Sequence, residues 1–365
     1  MKTKLLQLIA VGTALLFSNG ITAKTWRVNN QSNYNNTSQW GENYGGTPSF
    51  PVFRQINEAV QNANVMDGDT LHIEGSTLVY DDAIITKRLV IIGPGYFLTE
   101  NPKVSNNTYD AQIGRVTFNT GSKSSQIIGM NIIYDGNNAD GYVYVNVDQI
   151  TVKRCRMERG VRFATLLNEV YILQNFFAAS ANAIYTNGNN SFVPPQDIIF
   201  NNNICLSKLI WVGWNIVECN NNVFDGPPNQ LNLEFNTGSF QNNILKSAGM
   251  TANINGGTNN NVQYNTVSNS GVFNGTTGNI WEPNMTALFM TNNTTDGNYQ
   301  LQAGASSNVP GSDGSERGAF GGTAQTNRYR LSGLGAIPVI YTVSTTGVAE
   351  PNTGLLVNIK ARTVN

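Results

Sequence analysis

Ile198-Ile-Phe-Asn-Asn-Asn-Ile-Cys205 is followed, 19 residues on, by Val217-Glu-Cys-Asn-Asn-Asn-Val-Phe224, and the two stretches share a pattern. Apolar residues hold the first and third places, asparagine the sixth and an apolar residue the eighth. The same register recurs in Gln126–Ile133, Ile150–Met157, Val170–Phe177, Gly238–Leu245 and Asn260–Val267, where Gln126, Gly238 and Asn260 replace the opening apolar residue. The shared sixth place belongs to Asn131, Cys155, Asn175, Asn203, Asn222, Asn243 and Asn265, at spacings of 24, 20, 28, 19, 21 and 22 residues.

Alternation over the opening residues is the period of a strand with one buried side, and each segment is too short for a helix. A chain that returns to the same face every coil can stack these strands in parallel at about 4.8 Å and bury a continuous aliphatic column. The asparagine interrupts the alternation, so it marks a corner. Asparagine tolerates left-handed backbone, and its amide both donates and accepts. Stacked in register, such amides form a structural ladder that satisfies a buried bend.

Leu71–Ile73, Leu89–Ile92 and Val116–Phe118 read as earlier coils. Ahead of them Pro51 opens a run in which Phe53, Ile56, Val60 and Ala63 fall at helical spacing, expected to cap the open end of the solenoid. Residues 337–343 and 355–359 read as two strands around a turn containing Gly347, Pro351, Asn352 and Gly354. An isolated hairpin is marginal in water and should dock on the flank or on a partner.

The 365 residues are 40% hydrophobic and only 12% charged, with 22 basic against 23 acidic groups, so no global field favours nucleic acid. Asparagine reaches 54, which suits many tight corners. Lys2 and Lys4 precede an apolar run from Leu5 to Phe17, and Ser18–Ala23 end in a small residue, the form of an export leader cut after Ala23. That run is too short to span a bilayer, and no later stretch is long enough. The mature chain is expected to be monomeric and secreted or held in the cell envelope, extracellular or periplasmic, without a transmembrane segment. Cys155, Cys205 and Cys219 are odd in number and read as buried thiols, with one bridge left open.

The helix followed by Gly68-Asp69-Thr70, the stretch Gly93-Pro94-Gly95-Tyr96-Phe97-Leu98, the asparagine ladder and the ending Gly318-Ala319-Phe320-Gly321-Gly322 resemble secreted bacterial right-handed parallel β-helix repeat proteins of the pectate-lyase-like superfamily. The tail Ile337–Arg362 resembles the C-terminal extension many of them carry. The resemblance covers nearly all of the mature chain and implies an all-β, right-handed parallel β-helix over 24–322, with an N-terminal capping helix, a leader at 1–23 and a short C-terminal β-hairpin tail at 323–365. It implies no single activity, because that superfamily holds lyases, hydrolases, esterases, adhesins and inert scaffolds.

The Asp set and the Gly-His-Gly and Arg-Ile-Lys elements of a polygalacturonase are missing. His72, the one histidine, reads as structural; Asp81-Asp82 lies in a connecting loop, and Asp135–Asp140 reads as a turn. Lys153, Arg154, Arg156, Arg159 and Arg162 place five basic residues within ten positions. β-Elimination on an acidic glycan needs such cations, which makes Lys153, Arg156, Arg159 and Arg162 the catalytic candidates of a polysaccharide lyase. Lys153 and Arg156 are expected to point away from the core, and Arg159 and Arg162 to lie in the following loop. Glu169 and Asp197 each stand six residues before their corner asparagine, with Asp148 one position off, so the three could share a calcium ion. No other cofactor is called for. Trp211, Trp214 and Tyr185 are expected in long loops where a ring could stack on a sugar. Residues just after the corner, Ile132, Phe176, Ile204, Val223 and Ile244, form an apolar stripe if they face outward, with the hairpin as the nearest cover. The leading expectation is a β-helix that binds polysaccharide or a cell-surface glycan through flank and side loops. A lyase for an acidic glycan and a structural adhesin or spacer are the alternatives.

Overall fold

The structure is a computed structural model. It describes residues 23–31, 41, 45–104, 107–136, 140–164, 166–178, 182–186, 196–256, 262–273, 277–291, 293–305, 309–335, 337–345 and 354–363. The expected leader falls outside this set up to residue 22, as does the hairpin turn at 346–353.

Among the described residues the chain builds a mostly parallel β solenoid with three faces, carrying twelve, nine and five strands. One coil shows the plan: Thr151–Lys153 on the first face, Arg156–Met157 on the second, Gly160–Phe163 on the third. Each strand pairs in parallel with its counterparts one coil before and after, as Val152 does with Ile127 and Ile172. Inward residues from all three faces, among them Ile127, Val152, Met157, Val161 and Phe163, have no exposed surface. Each such side chain contributes roughly 1.5–3 kcal/mol of burial. Phe177, Phe200, Phe224 and Phe240 continue the core as stacked rings with centroids 5.5, 6.3 and 6.2 Å apart. Of the three earlier coils, Leu71–Ile73 and Val90–Ile92 lie on the first face, whereas Val116–Phe118 lies on the third, within Arg115–Phe118.

The bend from first to second face takes two residues. The first is left-handed in every coil from the fourth onward in this column: Gly129, Arg154, Gln174, Asn202, Asn221, Asn242 and Tyr264 have φ between 52° and 68°. The expectation that the corner asparagine itself takes this conformation is therefore corrected by one position. The asparagine follows it, buried, with its amide along the stacking axis. Oδ1 of Asn203 accepts from the backbone N and Nδ2 of Asn175 at 2.8 and 3.1 Å. The same pair of bonds links Asn203 to Asn222, Asn222 to Asn243, Asn243 to Asn265 and Asn265 to Asn279. Each Nδ2 spends its other proton on a first-face carbonyl one coil back, as Asn222 does on Phe200.

Asn131 lies outside this file. Arg156 pairs with Asn131 and Val152 with Ile127, so the residue level with Cys155 is Met130, and the first spacing is one residue longer than the pattern suggests. Gly129-Met130 carries no polar side chain at the bend, and the first asparagine after it stands one position late. Ile132 moves with it into the core. At the far end Asn279, outside the repeat as read, closes the file.

The helix α1, Ile56–Gln61, buries Ile56, Ala59 and Val60 against the first coils. It is shorter than its spacing suggests: Phe53 belongs to the strand Val52–Phe53, paired with Arg27 and Val28, and Ala63 is exposed. Apolar spacing alone cannot separate a strand residue that packs beneath a helix from the helix's own first turn.

After the last strand of the solenoid, Ile280–Trp281, the chain turns back along the second face. Met285, Leu288, Phe289, Ala305, Val309 and Tyr329 pack on Phe176, Ile204, Val223 and Ile244. The apolar stripe is thus covered by this returning strap, not by the hairpin. The outward side chains of the left-handed corner residues hold it: Asn242 Nδ2 donates to Ser312 Oγ, Asn202 Nδ2 to the carbonyls of Ala319 and Gly321, Gln174 Nε2 to that of Thr326, and Arg154 to that of Leu334. An antiparallel hairpin, Pro338–Thr345 with Val357–Thr363, follows and leaves Leu355, Leu356, Val357 and Ile359 exposed.

Candidate functional site

The third face carries an unusual outward surface. Tyr142-Val-Tyr-Val145 and Gly160-Val-Arg-Phe163 alternate, so that Val143, Val145, Val161 and Phe163 fill the core while Tyr144 and Arg162 turn outward. Strand pairing then sets Ile84, Thr117, Tyr144, Arg162 and Tyr185 directly opposite one another across five coils. The row spans about 19 Å at the usual strand spacing.

Arginine and tyrosine interleave on this surface. The Arg162 guanidinium lies 4.5 Å from the ring centroid of Tyr142 and 5.8 and 5.7 Å from those of Tyr144 and Tyr185. Arg159 stacks 3.7 Å over Tyr134 and donates to the Tyr142 hydroxyl. Gly141, with φ +73°, makes that stack possible, because a Cβ there would meet Tyr134 and Arg159 at 3.0 and 3.1 Å. Tyr142 and Tyr185 meet edge to face at 5.2 Å. Among the described residues neither Arg159 nor Arg162 has a carboxylate partner, and the Arg162 Nε is buried without an acceptor.

The other end of the row is acidic and self-neutralised. Arg115 bridges Asp82 at 2.6 Å and Asp140 at 3.2 Å, and the Tyr144 hydroxyl donates to Asp140. A shallow pocket of about 250 Å³ opens here between Asp82, Ile84, Arg115, Thr117 and Tyr144. Burial raises the Asp82 carboxyl, with Arg115 opposing and Asp140 adding to the rise. Burial also raises Tyr144 and Tyr185, and the bond to the Tyr142 hydroxyl raises Arg159. The Tyr144 and Tyr185 hydroxyls and the Arg159 guanidinium therefore remain protonated at neutral pH.

The basic segment is split by its two bends. Arg162 lies in a strand, not in the expected loop, and with Arg159 and Tyr185 belongs to this surface. Lys153 projects from the first face, where burial lowers it beside Arg154 and Arg330. Arg156 turns to the second face, bonded to Asn131 and paired with Glu158 at 2.9 Å. The four candidate cations of a lyase are thus never together.

Trp211 is corrected as well: it lies inside the strand Leu209–Glu218, 2% exposed and edge-on to Phe163, because continuous strands replace the expected loop from the third face to the first. The side chain of Trp214 lies outside the described residues. Glu169 and Asp197 do stand opposite each other, since Asn168 and Val170 pair with Gln196 and Ile198. Glu169 accepts from Gln149, however, and Asp148 accepts from the Asn168 amide and pairs with Lys123. Among the described residues no three His, Cys, Asp or Glu side chains are grouped to hold a metal, which corrects the calcium reading of Asp148, Glu169 and Asp197. His72 lines a mostly apolar pocket of about 260 Å³ with Pro94, Leu98 and Leu334, where burial lowers its pKa. The three cysteines are free and buried, with Cys155 and Cys205 pushed up to about 12.

The sequence reading has no place for Tyr142, Tyr144 or Arg115, and it gives Asp82 only a connecting loop and Tyr134 and Asp140 only the turn beside them. The signal was the alternation Tyr-Val-Tyr-Val, which lies in the half of the coil that carries no asparagine motif. No helix among the described residues is long and apolar enough to cross a membrane. No family model, curated protein or solved structure matches the chain.

Proposed function

We propose that this chain is an exported, right-handed parallel β-helix that binds polysaccharide on its third face, and that the glycan is acidic. One observation carries the reading: Arg162 stands in a single register row between Tyr144 and Tyr185, without a carboxylate partner among the described residues. Flat rings favour the faces of sugars, and an unneutralised guanidinium favours a carboxylate or sulfate through paired hydrogen bonds. Strand spacing repeats this chemistry along the stacking axis, which suits an extended chain better than a small molecule. The right-handed sense follows the general preference of parallel crossovers.

Binding is favoured over elimination because a lyase must also remove a proton from the sugar. Tyr144, Tyr185 and Arg159 all hold their protons more tightly than usual, and Asp82 and Asp140 are occupied by Arg115.

A glycan array with the exported chain, followed by titration calorimetry on each hit, tests the proposal. Uronate-bearing or sulfated glycans should bind saturably, Arg162→Ala should weaken binding about tenfold or more, and Lys153→Ala on the first face should leave it unchanged. A blank array, or equal loss in both variants, would remove the third face as the site. Growth of the ultraviolet absorbance of an unsaturated product would make the chain a lyase instead.

A further inference from the structure

The expected leader ends at Ala23, and the next residue meets a buried carboxylate. The Lys24 backbone nitrogen donates to Asp69 Oδ1 at 2.8 Å, and the Lys24 carbonyl accepts from the Thr70 amide at 2.8 Å. Asp69 is 2% exposed; its Oδ2 accepts from Trp26 Nε1 at 2.7 Å and from the Met66 amide at 2.9 Å. Ala23 and Lys24 are themselves exposed, so a protease can reach the bond between them. Among the described residues Asp69 forms no side-chain ion pair; the Lys24 ammonium lies over the Trp26 and Phe50 rings, 5.6 and 5.8 Å from their centroids, and acts on the carboxylate through its charge alone.

We infer that removal of the leader completes the fold, because the new α-ammonium of the exposed Lys24 forms an ion pair with the buried carboxylate of Asp69. Hydrolysis of the Ala23–Lys24 amide by a leader peptidase consumes one water, leaves a carboxylate on Ala23 and an amine on Lys24, and the amine takes up a proton. A neutral amide donor is thereby replaced by a cation with three donors, at an atom already within bonding distance of the carboxylate. A charge-assisted bond is about twice as strong as a neutral one. The partners of Asp69 then tie three segments of the first two coils together: the opening strand Thr25–Val28 through Lys24 and Trp26, the turn after α1 through Met66, and the strand Thr70–Ile73 that Asp69 precedes. Processing and stability become one event at the end of the solenoid where stacking begins.

This inference rests on reading residues 1–23 as a leader, and two measurements separate the claims. Mass spectrometry of the exported product should find Lys24 as its first residue; another terminus would overturn the cleavage site. The full chain is also exported with Gly-Ser inserted between Ala23 and Lys24, so that the ammonium is displaced while every side chain is kept. Its melting temperature should fall by about 2–4 °C. In an Asp69→Asn background the same insertion should produce no further fall, since the carboxylate that reads the charge is gone. An insertion without effect, or an equal fall in both backgrounds, would sink the ion pair even if Lys24 proves to be the terminus.

Discussion

Asn221 and Asn222 are adjacent and chemically identical, yet the fold uses them oppositely. Asn221 is left-handed at φ 56°, and its Nδ2 is buried without an acceptor, so its side chain contributes little beyond tolerance of the bend. Asn222 accepts from Asn203 twice and donates to Asn243 and to the Phe200 carbonyl. Asn222→Ala should therefore cost roughly 2–5 kcal/mol, because it takes the acceptor from the buried Asn203 amide and removes a donor from both Asn243 Oδ1 and the Phe200 carbonyl. Asn221→Gly should stay within about 0.5 kcal/mol of the parent, since relief of the left-handed strain offsets the added freedom of the unfolded chain. Urea melts of the two variants check the contrast, and similar losses would contradict it. The triple asparagine is plain in the sequence, but which of its members turns the chain is decided by φ, and all three amides look alike until the neighbouring coil is in place.

At the scale of the element, one buried carboxylate ties the two ends of the strap together and, through Tyr329, to Tyr96 of the solenoid. Asp296 accepts from the Tyr329 hydroxyl at 3.1 Å, the Ser332 amide at 2.5 Å and Thr294 Oγ1 at 3.0 Å, and Tyr329 meets the Tyr96 hydroxyl at 2.6 Å. Burial raises Asp296 above its ordinary value near 3.8 in spite of these bonds, and it raises Tyr96 and Tyr329 further from ionisation. A carboxyl that binds its proton more tightly when folded gives stability that is full below pH 3.8 and is lost as pH rises through the raised folded value. The melting temperature of the parent relative to Asp296→Asn should therefore be higher at pH 4 than at pH 7. A difference that grows toward neutral pH would show that the hydrogen bonds outweigh burial. None of this was legible beforehand: Asp296-Gly297-Asn298-Tyr299 reads as a turn, and Tyr96 and Ser332 are more than two hundred residues apart in the chain.

Across the whole molecule, the strap runs against the direction of stacking and so links the last coils to the early ones. Its anchor at the far end is Arg317, 2% exposed, whose guanidinium donates to the carbonyls of Pro310, Asn265 and Gly278 and to Thr266 Oγ1. Burial lowers its pKa to about 10, which leaves it charged at neutral pH. A solenoid whose coils touch only their neighbours unfolds in parts, and a strap that crosses several coils opposes this. Arg317→Ala should cost about 2–4 kcal/mol and turn a single thermal transition into two, with dye binding to the uncovered Phe176, Ile204, Val223 and Ile244 in the first. One sharp transition in the variant would show that the coils cooperate without the strap.

The sequence by itself determined a parallel β solenoid of roughly twenty-residue coils, because period-2 alternation and a recurrent corner residue are local properties that each coil repeats. It also placed Glu169 opposite Asp197, since both are counted from the same corner. The tertiary structure alone decided the register of the coil that opens with Gln126, where Met130 stands level with Cys155 and no asparagine marks the bend. It alone divided the basic segment, sending Lys153, Arg156 and Arg162 to three different faces, because two bends within ten residues set directions that composition does not carry. The tyrosine and arginine row exists only once five coils are stacked: its members lie up to a hundred residues apart, and what brings them together is the hydrogen bonding of strands that are neighbours in space.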